Sequence, residues 1–197
     1  MVQIEYRNAH IRLADKVYEP AEDSFLLADA AVSHSRDGMR ILEVGTGTGF
    51  VSAVLKANAN VEVIATDISP YAVRCARSNG IEVIRTDMFR GLRSGPIFDL
   101  IIFNPPYLPT SDEEKVPGWL NYAFDGGMDG RAAVECFVDE AGEYLVRNGL
   151  ILLLVSSLTG IEHVKTKMGS AGFDVNIVGR TRCFYEELVV LLGNRRA

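Results

Sequence analysis

The chemistry of this sequence concentrates in Ile101-Ile-Phe-Asn-Pro-Pro-Tyr107, where an apolar run stops abruptly at an amide, two prolines and a phenol. Consecutive prolines fix φ and remove two backbone donors, so the turn they make is dominated by carbonyls. Asn104 adds a side-chain acceptor and Tyr107 an aromatic face. An amide or exocyclic amino nitrogen is a poor nucleophile because its lone pair is delocalised. Accepting its two N–H bonds, at the Asn104 side-chain oxygen and the Pro105 carbonyl, would hold it and aim its lone pair at an electrophile. The methyl group of a sulfonium is such an electrophile, reached by in-line displacement. Positioning is then the main catalytic contribution, of roughly 7–11 kcal/mol for well-oriented reactions. Pro106 completes the substrate-facing turn, and Tyr107 is placed to stack on a planar target. The competing reading is a turn that only ends a strand, as Asn-Pro often does.

Ile41-Leu-Glu-Val-Gly-Thr-Gly-Thr-Gly49 points to what would carry that methyl group. It runs from a strand through glycines into a helix, and Gly45 and Gly47 permit a tight turn with close approach of a ligand to the backbone. Phe50 stands where a dinucleotide fingerprint has its third glycine, which disfavours a nicotinamide cofactor. Asp67 follows about 20 residues later, where a carboxylate can accept the two hydroxyls of a ribose. Asp87, in Thr-Asp-Met, is expected at the end of the third strand, near an adenine. Glu43 lies inside the first strand, where a charge is costly without a partner. A ligand ammonium is the expected partner, such as the methionine end of S-adenosylmethionine.

These groups need a scaffold. From Arg40 onward β-branched runs alternate with helical patterns, the signature of a parallel sheet covered by helices. Strands are expected at 40–44, 61–66, 81–85, 99–103 and 150–155, the last two apolar enough to be buried on both faces. Val134, Phe137, Val138, Ala141 and Leu145 recur at helical spacing, which predicts a helix over 131–146 with Gly149 as its stop. Ile161, Val164 and Met168 form a similar stripe. Residues 173–182 and 187–192 are strand-like with too short a link for a crossover helix, so they should pair antiparallel. The expected fold is therefore α/β, a Rossmann-like, seven-stranded and mostly parallel sheet closed by an antiparallel C-terminal hairpin. Nearer the N-terminus, short strands are expected at 4–6 and 10–13. A helix over 21–34 follows Pro20, with Glu22 and Asp23 at its positive end.

Composition narrows the function. The chain has 197 residues, 48% of them hydrophobic, 23% charged, and a formal net charge of −6. That length favours one domain. No apolar run approaches the roughly 20 residues of a membrane span, and no signal-peptide pattern opens the chain; a cytoplasmic location is expected. Cys75, Cys136 and Cys183 are far apart, which argues against a disulfide framework or a structural zinc site and for buried free thiols. His10, His34 and His163 lack ligand spacing, so no metal is expected. An acidic chain with scattered arginines is a poor match to nucleic-acid binding.

Glu43-Val-Gly-Thr-Gly-Thr-Gly49, Asp67, Asp87 and Asn104-Pro-Pro-Tyr107 together resemble the HemK-type protein glutamine N5-methyltransferases, over essentially the whole chain. Val17-Tyr-Glu-Pro-Ala-Glu-Asp-Ser-Phe-Leu26, Phe124-Asp-Gly-Gly-Met-Asp-Gly-Arg131 and Arg182-Cys-Phe-Tyr-Glu-Glu-Leu188 are similar to its short, archaeal and eukaryotic branch. The resemblance implies methylation of the glutamine in the Gly-Gly-Gln motif of class I translation release factors. It also implies S-adenosylmethionine contacts at Ser24, Glu43, Gly45, Gly47, Asp67, Ile68, Asp87 and Met88, with Asn104 touching both cofactor and target amide. Ser24 also fits simple helix-start chemistry, and 124–131 fits either a surface loop or a substrate lid. Bacterial members carry a helical N-terminal domain, but fewer than 40 residues precede the first strand here. Short-branch relatives use a small zinc-ribbon activator protein at a sheet edge. The acidic run 112–114 would suit a basic partner or a solvated loop. Two other functions share the motif set: a methyltransferase for adenine N6 or cytosine N4, which must grip nucleic acid, and a non-catalytic cofactor-binding adaptor.

Overall fold

The computed structural model describes residues 2–111, 113 and 118–196. It opens with a hairpin of β1 (Gln3–Tyr6) and β2 (Ala9–Arg12), turned by Arg7 and Asn8, both at positive φ. Two left-handed residues in a row match the right-handed twist of paired strands. Helix α1 (Glu22–His34) follows, and then the alternating run begins: β3 (Arg40–Val44), α2 (Phe50–Asn58), β4 (Glu62–Asp67), α3 (Pro70–Ser78), β5 (Glu82–Arg85) and β6 (Phe98–Phe103). The rest is α4 (Ala132–Ala141), β7 (Leu145–Ser156), α5 (Ile161–Ser170), β8 (Phe173–Arg182) and β9 (Glu187–Arg195).

Seven of the strands form one sheet in the order β5-β4-β3-β6-β7-β9-β8. Neighbours from β5 to β7 are parallel, and β9 pairs antiparallel with both β7 and β8. The expected fold class holds, down to the antiparallel closing pair. Period-two alternation assigns the helices to faces. Leu42, Val44, Ile101, Phe103, Ile151 and Leu153 point to the side packed with α4 and α5 residues such as Phe137 and Met168. Ile41, Leu100, Ile102, Leu152 and Leu154 point to the other, against Leu27 and Ala31 of α1 and Val54 of α2. Tyr6, Phe25 and Phe50 meet at centroid distances of 4.9–5.8 Å, fixing the hairpin and α1 onto α2.

The chain reverses its winding between β3 and β6, which lie side by side with Val44 opposite Phe103. Ligands bind at such a switch point, beyond the carboxyl ends of the strands. Gly45 and Asn104 are the next residues on each strand, so the fold brings the two chemical motifs together.

Four expectations need correction. Helix α4 stops at Ala141 rather than 146; Gly142–Tyr144 tightens to a 3-10 turn and Leu145 already pairs with Phe98 in the sheet. Gly149 is consequently inside β7, just after Asn148 at φ 60°, where a short excursion separates the Leu145 and Leu150 pairings. Asp87 lies two residues beyond the end of β5, in a turn whose carbonyl accepts from the Arg90 amide. Of the cysteines only Cys75 is buried; Cys136 is exposed and Cys183 half-buried, all with free thiols. Asp112 and Glu114 of the acidic run lie outside the described residues.

Candidate active site

At the end of β3 the chain turns on Gly45, Gly47 and Gly49, all in the left-handed region at φ 58–81°. A Cβ at Gly49 would lie 2.9 Å from Ile81 and 3.2 Å from Ala76, so close packing as well as conformation requires glycine there. A Cβ at Gly47 would meet nothing within 4 Å, so this backbone faces open space that a ligand can fill. The loop is clasped from β4. The Gly47 amide donates to Asp67 Oδ2 at 2.9 Å, and the Ser69 amide donates to Oδ1 at 2.8 Å. Ser69 in turn caps α3, with Pro70 at its first position. Burial pushes the Asp67 carboxyl up, against the lowering effect of these backbone donors.

Glu43 is buried under the loop. Its Oε2 accepts from the Thr46 hydroxyl at 2.7 Å, from the Ser52 amide at 3.1 Å and from the Ser52 hydroxyl. The charge in the strand therefore has partners from the chain itself, which the sequence reading did not supply. Burial still dominates and pushes this carboxyl up to about 7. Asp87 is half-buried and ion-paired with Arg90 at 3.1 Å, and the Ile68 carbonyl accepts from Arg85 at 3.3 Å.

Across the switch point, Asn104 donates through Nδ2 to Asp23 Oδ2 at 2.9 Å. Its Oδ1 is buried with no hydrogen-bond partner. Thr66 Oγ1 and Arg131 Nε are the other buried polar side-chain atoms so placed among the described residues, and neither residue lines the cavity. Asp23, in the first turn of α1, also accepts from the Tyr18 hydroxyl at 3.1 Å to each oxygen and from the Ser24 amide and hydroxyl at 2.5 and 3.0 Å. Burial, then the Asp23 carboxylate, raises the Tyr18 phenol well beyond its ordinary value; the same two causes raise Tyr107.

Tyr18, Asp23, Glu43, Asp67, Asp87, Asn104 and Tyr107 all border one cavity of about 570 Å³. Its wall includes every residue singled out from sequence: Ser24, Glu43, Gly45, Gly47, Asp67, Ile68, Asp87, Met88, Asn104, Pro105, Pro106 and Tyr107. It also includes residues that sequence reasoning missed, notably Tyr18, Trp119 and Glu186, along with Phe124 from the segment read as a loop or a substrate lid, and it gives Asp23 a place beyond helix-start chemistry. Segment 124–131 is bound to the turn after Asn-Pro-Pro-Tyr. Leu108 donates to the Phe124 carbonyl at 3.0 Å, Gly126 to Leu108 at 3.0 Å and Thr110 to Gly127 at 2.9 Å. A Cβ at Gly130 would stand 2.4 Å from the Tyr107 carbonyl, so only glycine lets the two backbones touch.

The donor set fits an adenosyl-amino-acid cofactor: an open glycine cradle, a buried carboxylate beside it, and a second acid beyond the third strand. With the sheet order above, it defines a class I S-adenosylmethionine-dependent methyltransferase. Residues 23–117 match the methyltransferase small domain family. The chain is 40% identical over 194 residues to a Methanocaldococcus jannaschii protein named as a protein N5-glutamine methyltransferase, covering 95% of this chain and 96% of that one. It belongs to the HemK-type protein glutamine N5-methyltransferase family. Methyltransferase HEMK2 of Homo sapiens is 35% identical over 188 residues, 89% of this chain and 88% of its own. Among solved structures, the E. cuniculi Mtq2–Trm112 complex, responsible for methylation of the eRF1 translation termination factor, superposes with a TM-score of 0.75 at 27% identity. That match covers 91% of this chain and 99% of the other.

Proposed function

We propose that this enzyme methylates the side-chain amide of the glutamine in the Gly-Gly-Gln motif of a class I translation release factor. The observation that carries the reading is the buried, unpaired Asn104 Oδ1 beside the glycine cradle, an acceptor that calls for an N–H donor. S-Adenosylmethionine supplies the electrophilic methyl group on its sulfonium. Ser24, Glu43, Gly45, Gly47, Asp67, Ile68, Asp87 and Met88 hold that cofactor: Glu43 toward its amino group, Asp67 toward the ribose, Asp87 and Met88 toward the adenine. The Asn104 oxygen and the Pro105 carbonyl take the two hydrogens of the target amide, and Pro106 stiffens the turn. Tyr107 stacks on the amide plane. A phenol is neutral near pH 7 and burial pushes Tyr107 higher still, so it offers a face rather than a base. The proton becomes acidic once the nitrogen has its fourth bond, and water takes it.

The solved relative with Trm112 supports a small zinc-ribbon activator for this chain as well. Strand β5 is an edge of the sheet and carries Ile84 at 43% exposure, an apolar position such a partner would cover. No helix among the described residues is long and apolar enough to cross a membrane. We place the enzyme in the cytoplasm with its substrate, as a single methyltransferase domain whose N-terminal extension, before residue 39, borders the cofactor site through Tyr18, Pro20, Asp23 and Ser24.

Methyl transfer from labelled S-adenosylmethionine tests this. The substrates would be a class I release factor, its Gly-Gly-Gln→Gly-Gly-Ala variant and DNA, each with and without the zinc-ribbon partner. Label on the release factor alone, lost in the variant, is the expected result. Label on DNA, or none anywhere despite cofactor binding, would overturn the substrate.

A further inference from the structure

The Asn104 amide has two nearly identical ends, and which end faces the substrate decides what the site accepts. A carboxylate is acceptor-only, whereas an amide offers NH₂ on one side and C=O on the other. Asp23 stands 2.9 Å from the Asn104 nitrogen. Turning the amide over would put its oxygen against a buried anion, trading a charge-assisted hydrogen bond for repulsion. Asp23 cannot easily yield, because Tyr18 holds both of its oxygens and the Ser24 amide and hydroxyl hold Oδ1. Only 4% of Asp23 is exposed, so solvent does not compete for this arrangement. The result is that Oδ1, the end away from Asp23, is the one left without a partner.

We propose that Asp23, held by Tyr18, is a positioning and specificity residue that locks the polarity of Asn104, so that the site takes a carboxamide and rejects a carboxylate of the same shape. The inference rests on the glutamine reading above and adds to it the reason glutamate is refused. An N–H donor completes the Asn104 oxygen, while a glutamate side chain would set oxygen against oxygen next to the Asp23 charge. A site built to hydrogen-bond a substrate N–H discriminates strongly against the analogue that lacks it. Asp23 acts through Asn104 and needs no contact with the substrate.

The test uses the full chain with S-adenosylhomocysteine bound, so that no turnover occurs, and titrates two release-factor fragments differing only in Gly-Gly-Gln or Gly-Gly-Glu. Wild type is expected to prefer glutamine by about 100-fold or more. In Asp23→Asn, position 23 can donate as well as accept, Asn104 can turn over, and the preference should fall by about tenfold or more. In turnover assays Asp23→Ala should lower kcat about 100-fold, the cost of a misplaced reacting group. S-Adenosylhomocysteine affinity should stay within about threefold, and Asp23→Asn should recover part of the lost kcat. Tyr18→Phe should fall between wild type and Asp23→Asn in both measurements. An unchanged glutamine preference in Asp23→Asn overturns the inference alone. So does a loss of S-adenosylhomocysteine affinity in Asp23→Ala that matches its loss of kcat, since the role would then be structural. No glutamine preference in wild type overturns the substrate reading and this inference together.

Discussion

At the glycine-loop end of the cavity the carboxylates of Glu43, Asp67 and Asp87 all have partners from the chain, whereas at the Asn104 end a buried oxygen has none. The first region is also local: Glu43 reaches Ser52 and Gly47 reaches Asp67 across 9 and 20 residues. The second is assembled from distant parts, with Asn104 bonded to a residue 81 positions away and the aromatic wall drawn from 119–124. A self-satisfied cradle can form before any ligand arrives. An acceptor stranded beside it is costly until a substrate completes it. The difference separates binding from turnover, and substitutions should respect that division.

The sharpest break is expected from Asn104→Ala. Methyl transfer should fall by about 100- to 1000-fold, the usual cost of removing a polar group aimed at the reacting atoms, while cofactor affinity is largely kept. Parallel loss of both, measured by calorimetry and labelled transfer, would erase the contrast between the two ends.

Next in size is the pH response of the cradle. The Glu43 carboxyl moves from an ordinary 4.5 to about 7 in the folded chain, so the fold favours its protonated form. Its contribution is full below the unfolded value and is lost as pH rises through about 7, up to about 3 kcal/mol in all. The cofactor-free chain should therefore lose stability between about pH 4.5 and 7 from this group. Glu43→Gln should remove that component in thermal unfolding across the range. An unaltered pH profile in the variant would show that Glu43 titrates at an ordinary value.

Asp67→Ala should weaken cofactor binding by about 30-fold, from hydrogen bonds to a charged group worth roughly 2 kcal/mol, and part of that loss should come from the released Gly47 amide. A cofactor titration matching wild type would remove Asp67 from the binding set. The smallest effect is expected at the substrate end. Tyr107→Ala should reduce turnover about tenfold by losing one stacking face, with little change in cofactor affinity. Equal loss of both would mark Tyr107 as structural.

The local region was legible in the sequence for the same reason that it is self-contained. Glycines, a following acid and alternating apolar runs place Gly45, Asp67 and the strand 40–44 by short-range rules alone. Asn104-Pro-Pro-Tyr107 was legible as chemistry, because two prolines leave a carbonyl-rich turn wherever they occur. Its surroundings were not. Asp23 looks like an ordinary acid at a helix start, and only the packing of α1 across the sheet reveals that its carboxylate meets Asn104. The error over 131–146 has a related cause. Leu145 continues the helical spacing of Val134, Phe137, Val138 and Ala141, yet its burial comes from pairing with Phe98 in the sheet. Periodicity reports that a residue is buried without saying by which element.

The Asp23–Asn104 hydrogen bond also bears on how such a sequence can drift through descent. The polar ties of Glu43 and Asp67, to Thr46, Ser52, Gly47 and Ser69, all fall within positions 43–69, so a change at one of them can be answered close by in the chain. Positions 18, 23 and 104 have no such freedom. A change at one leaves a stranded charge or a stranded amide at another, so any compensation has to come from a distant part of the chain.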